Sequence, residues 1–354
     1  MPTETKLVGE KPNATQPFPI TPLPFARQSL TEKDLNNLVP DTSYQDIKQK
    51  LASYKTGFIY NTPSKEGTVI FPGYDGGGEW GGPAVDPETG ILYINASEMP
   101  WVLTMVDLKD KPVVAETNLQ AGKRLYTATC MACHGPERQG GGNNPTLIGV
   151  NKKYNEEQFT QLVSSGRRMM PAFNQLAESE KKALASFVLD LKSKQTEKFV
   201  APVRPDDEWN KMPYSATGYN KFLTKEGYPA VMPPWGTLNA INLNTGELVW
   251  KDTLGDVAEF KEKGIHTGAE NYGGPAVTAG GLVFIAATSD AKMRAFNKRN
   301  GKMLWEVDLP ACGFATPSVY EVDGKQFLVI ACGGGKLGKH SGDSYVAFAL
   351  PDKK

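Results

Sequence analysis

Apolar positions along the chain follow two different periods. Between residues 67 and 106, short β-rich runs such as Thr68-Val69-Ile70-Phe71 and Ile91-Leu92-Tyr93-Ile94 are closed by Pro72-Gly73 and by the turn Asp86-Pro87-Glu88-Thr89-Gly90. That pattern predicts strands joined by tight turns. From 116 to 197 the glycine turns give way to helical spacing. Leu184, Phe187, Val188 and Leu191 fall at i, i+3, i+4 and i+7, and Phe159, Leu162 and Val163 make a shorter stripe, so each marks one face of a helix. From Gly236 the strand-and-turn pattern returns and runs to the end. Residues 1 to about 50 are proline-rich, then carry a helix start at Thr31-Glu32-Lys33-Asp34 and a short helix around Asp46-Ile47-Lys48, which reads as an extended lead-in. Residues 198–234 read as a linker. The expected domains are 1–115, 116–197 and 198–354, with the helical domain inserted into a loop of the β-part.

An internal repeat specifies the β architecture. Gly81-Gly82-Pro83-Ala84-Val85 recurs as Gly273-Gly274-Pro275-Ala276-Val277. The stretch AINLNTGELVW (240–250) recurs as AFNKRNGKMLW (295–305), with a partial third copy AFAL (347–350), at offsets of 55 and 52 residues. A period near 50 built of strands and Asn/Gly turns predicts propeller blades of four strands each. Gly246 and Gly301 supply the left-handed residue of a tight hairpin. Trp250 and Trp305 end equivalent strands and are expected to pack between neighbouring blades. The expected fold is mainly β, a partial β-propeller of about three blades with a small all-α insert. Three blades do not close a ring, and an open ring leaves strand edges unpaired. The expectation is a propeller completed by a missing N-terminal half or by a second chain.

Within the helical insert lies Cys130-Met131-Ala132-Cys133-His134. Cys-x-x-Cys-His is the c-type haem attachment pattern: two thiols form thioethers, and the adjacent imidazole becomes an iron ligand. A thioredoxin-like redox pair would need a βαβ context, which is absent. A zinc site would need a second pair of ligands, and His266 and His340 are isolated in sequence. Met169 and Met170, in Gly166-Arg167-Arg168-Met169-Met170-Pro171, are both candidates for the opposite iron ligand. A thioether there raises the reduction potential relative to two histidines. Packing is the commoner use of methionine.

Composition narrows the field. Lys+Arg and Asp+Glu both number 39, so no global charge favours nucleic acid or an anionic membrane. Thirty-six glycines and 26 prolines fit a turn-rich β chain. No run approaches the roughly 18 apolar residues of a spanning helix. The first residues lack the basic and apolar regions of a signal peptide. Cys312 and Cys332 lie outside the haem motif and read either as a disulfide or as two buried thiols.

Residues 116–197 resemble a small class I cytochrome c domain. The resemblance places Gly122 and Tyr126 of a first helix against Leu184 and Phe187 of a last one. It makes Pro145 the residue whose carbonyl accepts the His134 ring N–H, and it selects Met170, followed by proline, over Met169. The departure is Ala177 where a Ser/Thr helix cap is expected. The β-part, in 62–87, 235–255 and 273–335, resembles the pyrroloquinoline quinone (PQQ)-dependent dehydrogenases, above all the C-terminal region of membrane-type glucose dehydrogenases. That resemblance implies an eight-bladed propeller with PQQ on its axis and Ca2+ as a further cofactor. It sets Trp80 in a segment lining the quinone pocket, the alternative being a packing tryptophan. The family's catalytic aspartate and quinone-contacting lysine fall upstream of the matching region, so no catalytic residue is assigned.

The expected function is a quinohaemoprotein dehydrogenase, or its C-terminal part. It would oxidise a sugar or alcohol and pass electrons through haem c to a downstream cytochrome, quinone or oxidase. The rival readings are an electron-transfer protein with a propeller docking module, and a propeller scaffold, against which the haem motif argues. Haem attachment to this motif implies the periplasm of a Gram-negative bacterium, with the export signal in a missing N-terminal region.

Overall fold

The computed structural model describes residues 5–57, 59–108, 116–141, 144–202 and 213–350. Its organising feature joins two distant segments: strand β3 (Ile91–Ser97) runs antiparallel to β8 (Gly236–Asn242), in register from Ile91 opposite Asn242 to Ser97 opposite Gly236. With β2 (Ala84–Asp86) and β9 (Leu248–Thr253) they make a four-stranded sheet in the order β2-β3-β8-β9. Residues 98–235 are therefore inserted between the second and third strands of one sheet.

The next sheet is an uninterrupted meander of β10 (Ala276–Val277), β11 (Leu282–Ile285), β12 (Lys292–Asn297) and β13 (Met303–Asp308). A third has three strands, β14 (Ser318–Val322), β15 (Lys325–Gly334) and β16 (Ser341–Ala349). These are three successive blades of a partial β-propeller. Two small sheets remain, β1 (Thr68–Ile70) with β4 (Trp101–Leu103) and β7 (Asn220–Lys221), and β5 (Met105–Asp107) with β6 (Tyr214–Ala216).

The sequence repeat corresponds to β8–β9 and β12–β13. In both hairpins an Asn carboxamide oxygen accepts the backbone N–H two residues on, Asn242 from Asn244 at 2.9 Å and Asn297 from Arg299 at 2.8 Å. The closing glycines, Gly246 and Gly301, have φ of 76° and 73°, a conformation that costs a residue with a Cβ. Trp250 docks on the next blade: its indole N–H donates to the Lys298 carbonyl at 3.0 Å, and a Cβ on Gly301 would lie 2.7 Å from its ring. The Tyr93 hydroxyl donates to the same carbonyl at 3.0 Å. The Lys298 ammonium pairs at 2.9 Å with Asp86, both side chains being buried. Lys298 thus ties two blades together through its main chain and its side chain. Trp305 packs edge-on against Phe348 of the third blade, 5.3 Å between centroids. Cys312 and Cys332 are buried free thiols.

The chain divides into two compact units, Met1–Val102 with Lys221–Lys354, and Leu103–Asn220. In the first, the stretch that reads as lead-in shares a core with the end of the stretch that reads as linker. Helix α1 (Asp41–Ser53) buries Ile47 and Leu51 with Leu30, Leu35, Phe222, Val231 and Trp235, and Leu35 bridges Val231 antiparallel.

The second unit contains the expected 116–197 region. Helix α2 (Asn118–Thr129) starts on Thr117 and α4 (Glu156–Ser165) on Asn155, each with a glutamine completing the capping box. Helix α3 (Met131–His134) follows α2 after Cys130. Helix α5 (Glu178–Val188) has no side-chain cap at Ala177, but Glu180 accepts the Ala177 N–H at 2.9 Å. A Cβ on Gly122 would lie 2.3 Å from the Ala183 carbonyl oxygen, so glycine lets α2 cross α5 closely. Tyr126 and Phe187 meet edge-on at 5.4 Å. Among the described residues no helix is long and apolar enough to cross a membrane.

Replacing Lys298 with alanine strands the buried Asp86 carboxylate. Urea unfolding is expected to show a loss of about 3–5 kcal/mol, the range for breaking a buried pair. Trp250→Phe, which removes one hydrogen bond, should cost only about 1 kcal/mol. Equal small losses from both variants would contradict the latch.

Candidate functional site

The helical unit places its chemistry on a rigid corner. Helix α2 ends at Cys130, and the N–H groups of Cys133 and His134 return to the Cys130 carbonyl at 3.1 and 2.9 Å. This single turn sets both thiols and the imidazole from one backbone segment. Gly135 ends the turn at φ 76°, and its carbonyl accepts the buried Tyr126 hydroxyl at 2.6 Å. His134 Nδ1 stands 2.8 Å from the Pro145 carbonyl oxygen. With Nδ1 as the donor, Nε2 carries the lone pair that an iron would take. The loop carrying Pro145 is pinned beside it, since the Arg138 carbonyl accepts from Leu147 N at 2.8 Å and from the Thr146 hydroxyl at 3.1 Å.

The two methionines part company. Arg167 and Met170 exchange both backbone hydrogen bonds, at 2.9 and 3.0 Å, closing a two-residue turn in which Arg168 has φ 55°. Met169 at its tip is 78% exposed. Met170 is half-buried and packs on the unit's core, as do Cys130, Leu147, Val150, Tyr154 and Phe173. Cys130 and Met170 therefore line one apolar core, as a planar hydrophobic macrocycle requires, and the donor set of two thiols, an oriented imidazole and a thioether fits haem c. Burial pushes the Cys130 thiol up to about 11, whereas Cys133 is exposed.

The propeller unit has a site of its own. A pocket of about 440 Å3 is lined by Trp80, Tyr272 and Phe314, with Glu79, Gly273 and Thr316. Trp80 is fully exposed, so it packs no core. The three aromatics hold one position in three blades: Trp80-Gly81-Gly82-Pro83, Tyr272-Gly273-Gly274-Pro275 and Phe314-Ala315-Thr316-Pro317. Thr316 ties two of these turns together, its hydroxyl donating to the Gly81 carbonyl and accepting from Gly274 N, both at 3.0 Å. Volume and aromatic lining suit a flat ligand, and the Trp80 indole offers it a face. No cation is among these lining residues to balance ligand carboxylates. Among the described residues no group of three or more His, Cys, Asp or Glu is arranged to hold a metal, so the implied Ca2+ is not assigned to residues of this chain. Tyr272 and Phe314 escaped the sequence analysis. Tyr272 carried a signal, the aromatic that precedes each copy of the Gly-Gly-Pro repeat, and Phe314 precedes the related Ala-Thr-Pro.

The family described as glucose/ethanol/alcohol dehydrogenase, β-propeller domain (PQQ), matches residues 1–141 and 153–328. The family described as cytochrome c oxidase, cbb3-type, subunit III, matches 117–188. Quinoprotein glucose dehydrogenase A of Acinetobacter calcoaceticus is 31% identical over 98% of this chain and 34% of its own length. The quinoprotein glucose dehydrogenase of Escherichia coli is 33% identical over 83% and 28%. The quinohemoprotein alcohol dehydrogenase of Comamonas testosteroni superposes at a TM-score of 0.35 and 18% identity, covering 80% of this chain and 27% of that one. The chain spans about a third of the length of these relatives.

In protein prepared without haem, iodoacetamide at pH 8 should modify Cys133 well before Cys130. Cys130 reactivity should rise only as pH nears 11, because the thiolate is the nucleophile. Mass spectrometry of the peptide containing both cysteines reads the order. Equal rates at pH 8 would contradict the partial burial of Cys130.

Proposed function

The chain belongs to the glucose/ethanol/alcohol dehydrogenase β-propeller family of PQQ-dependent enzymes, and we propose that it is the C-terminal part of a periplasmic quinohaemoprotein dehydrogenase acting on a sugar or alcohol. The observation that carries this reading is the insertion, between two paired strands of a quinoprotein blade, of a unit with the Cys130–Cys133–His134 turn and the Pro145 bond to His134. When bound, PQQ supplies the two-electron acceptor and haem c the one-electron exit.

The residues of this chain have separable tasks. Trp80 offers a flat face to one side of the quinone, and Thr316 fixes the turns around it. Cys130 and Cys133 would hold the haem through thioethers, and His134 and Met170 would offer its iron an imidazole and a thioether. Pro145 holds the imidazole in one tautomer, and the methionine thioether favours a potential suited to accepting electrons. The catalytic base and the cations facing the quinone carboxylates come from sequence outside this chain, together with the remaining blades. The length shared with the relatives supports that division. Electrons leave to a cytochrome, quinone or oxidase.

The test uses the full-length protein loaded with PQQ and Ca2+, mixed anaerobically with an aldose or a primary alcohol. The expected result is reduction of the haem, read from its visible spectrum. Cys133→Ala should weaken haem retention and haem reduction while substrate-dependent reduction of an artificial dye persists. Dye reduction with a haem that stays oxidised would contradict the electron route. Reduction of neither would overturn the dehydrogenase reading in favour of an electron-transfer protein.

A further inference from the structure

A chain of short oxygen contacts runs back from Tyr272, which lines the Trp80 pocket, and the electron path above leaves it unused. Tyr272, 6% exposed, lines the pocket. Its hydroxyl oxygen stands 2.9 Å from Asp75 Oδ1 and 3.1 Å from Glu270 Oε1. Asp75 Oδ2 accepts the Trp101 indole N–H at 3.1 Å. Glu270 takes the Lys221 ammonium on both oxygens, at 2.5 and 2.7 Å. The groups that titrate or carry charge here are Asp75 in the loop after β1, Lys221 on β7, Glu270 and Tyr272 ahead of β10, and Glu79 at the pocket.

Counting hydrogens exposes the consequence. A phenol has one hydrogen, and this one lies between two carboxylates. The bidentate Lys221 contact marks Glu270 as the anionic end, so the Tyr272 hydrogen is directed there. The Asp75–Tyr272 contact then has room for one further proton, donated from Asp75 Oδ1 to the phenol oxygen. Burial and the two neighbouring carboxylates raise the Tyr272 phenol far above its ordinary value, so it passes a proton only by receiving another. The outer end is partly open, the Lys221 and Glu270 side chains being 18% and 14% exposed.

We propose that Asp75, Tyr272 and Glu270 form a proton port behind the pocket's Tyr272, a proton taken up at Asp75 and one handed on across the Tyr272 hydroxyl to the Glu270–Lys221 end. The need for one follows from the proposed reaction, on which this inference rests. Oxidising an alcohol to a carbonyl breaks the carbinol C–H bond and the O–H bond and forms the C=O double bond. The alcohol loses a pair of electrons and a pair of protons. The electrons pass to the quinone and, from it, singly to the haem and its acceptor. Both protons must leave the same pocket.

The cluster is tested first in protein prepared without PQQ, by infrared difference spectra on stepping the pH, with bands assigned through Asp75→Asn and Glu270→Gln. The expected result is coupling: Glu270→Gln shifts the titration midpoint of the Asp75 carboxyl band, and in a Tyr272→Phe background that shift vanishes. A midpoint indifferent to the Tyr272 hydroxyl would overturn the proposal. In the PQQ-loaded full-length protein, Tyr272→Phe should then slow haem reduction by substrate about a hundredfold at saturating PQQ, with a larger solvent deuterium isotope effect. A rate that falls only in step with PQQ affinity would reduce Tyr272 to a packing residue and overturn the port. PQQ affinity unchanged in Trp80→Ala would overturn the pocket assignment, and the port with it, while the infrared coupling of the cluster would survive.

Discussion

The pairing of β3 with β8 is the constraint on which the rest of this structure depends. Seven residues face seven in continuous register, and a slip of one would turn every buried side chain of β8 toward the wrong face. Both strands are largely buried, so the register is strongly specified even though 98–235 intervene. Loop-closure entropy grows slowly with loop length, and the insert contributes its own core. A folded unit can therefore be carried between two neighbouring strands without dissolving the blade that carries it.

Each site draws its order from a short segment that a larger core holds still. In the helical unit one turn after α2 sets Cys130, Cys133 and His134, and the Pro145 carbonyl orients the imidazole. In the propeller unit three blades each present one aromatic at the same step of the repeat, and Thr316 fastens their turns. Iron ligation needs an oriented imidazole, and a flat quinone needs an aromatic face. Each unit supplies one of these from its own residues.

How far the sequence foretold this depended on how local the signal was. The haem motif, the Met170 assignment and the two Asn/Gly hairpins each rest on a few adjacent residues. The structure gives the two hairpins their tight turns and the Cys130–His134 segment a single helical turn. The tryptophan repeat was equally legible, because Trp250 and Trp305 follow their hairpin glycines at the same distance, and Trp250 docks on the next hairpin. What lay hidden was assembled from afar. Leu35 meets Val231, so segments without a clean period share a core. The Asp75–Tyr272–Glu270 contacts join loops nearly 200 residues apart. No periodicity reports such a meeting.

The account turns on the helical unit holding a covalent haem between His134 and Met170. The optical spectrum of the ferric full-length protein tests this most directly, through the red charge-transfer band of a methionine sulfur bound to ferric haem. The account predicts that the band is present, survives Met169→Leu and disappears in Met170→Leu. A band absent from the unaltered protein, or one that persists in Met170→Leu, would contradict it.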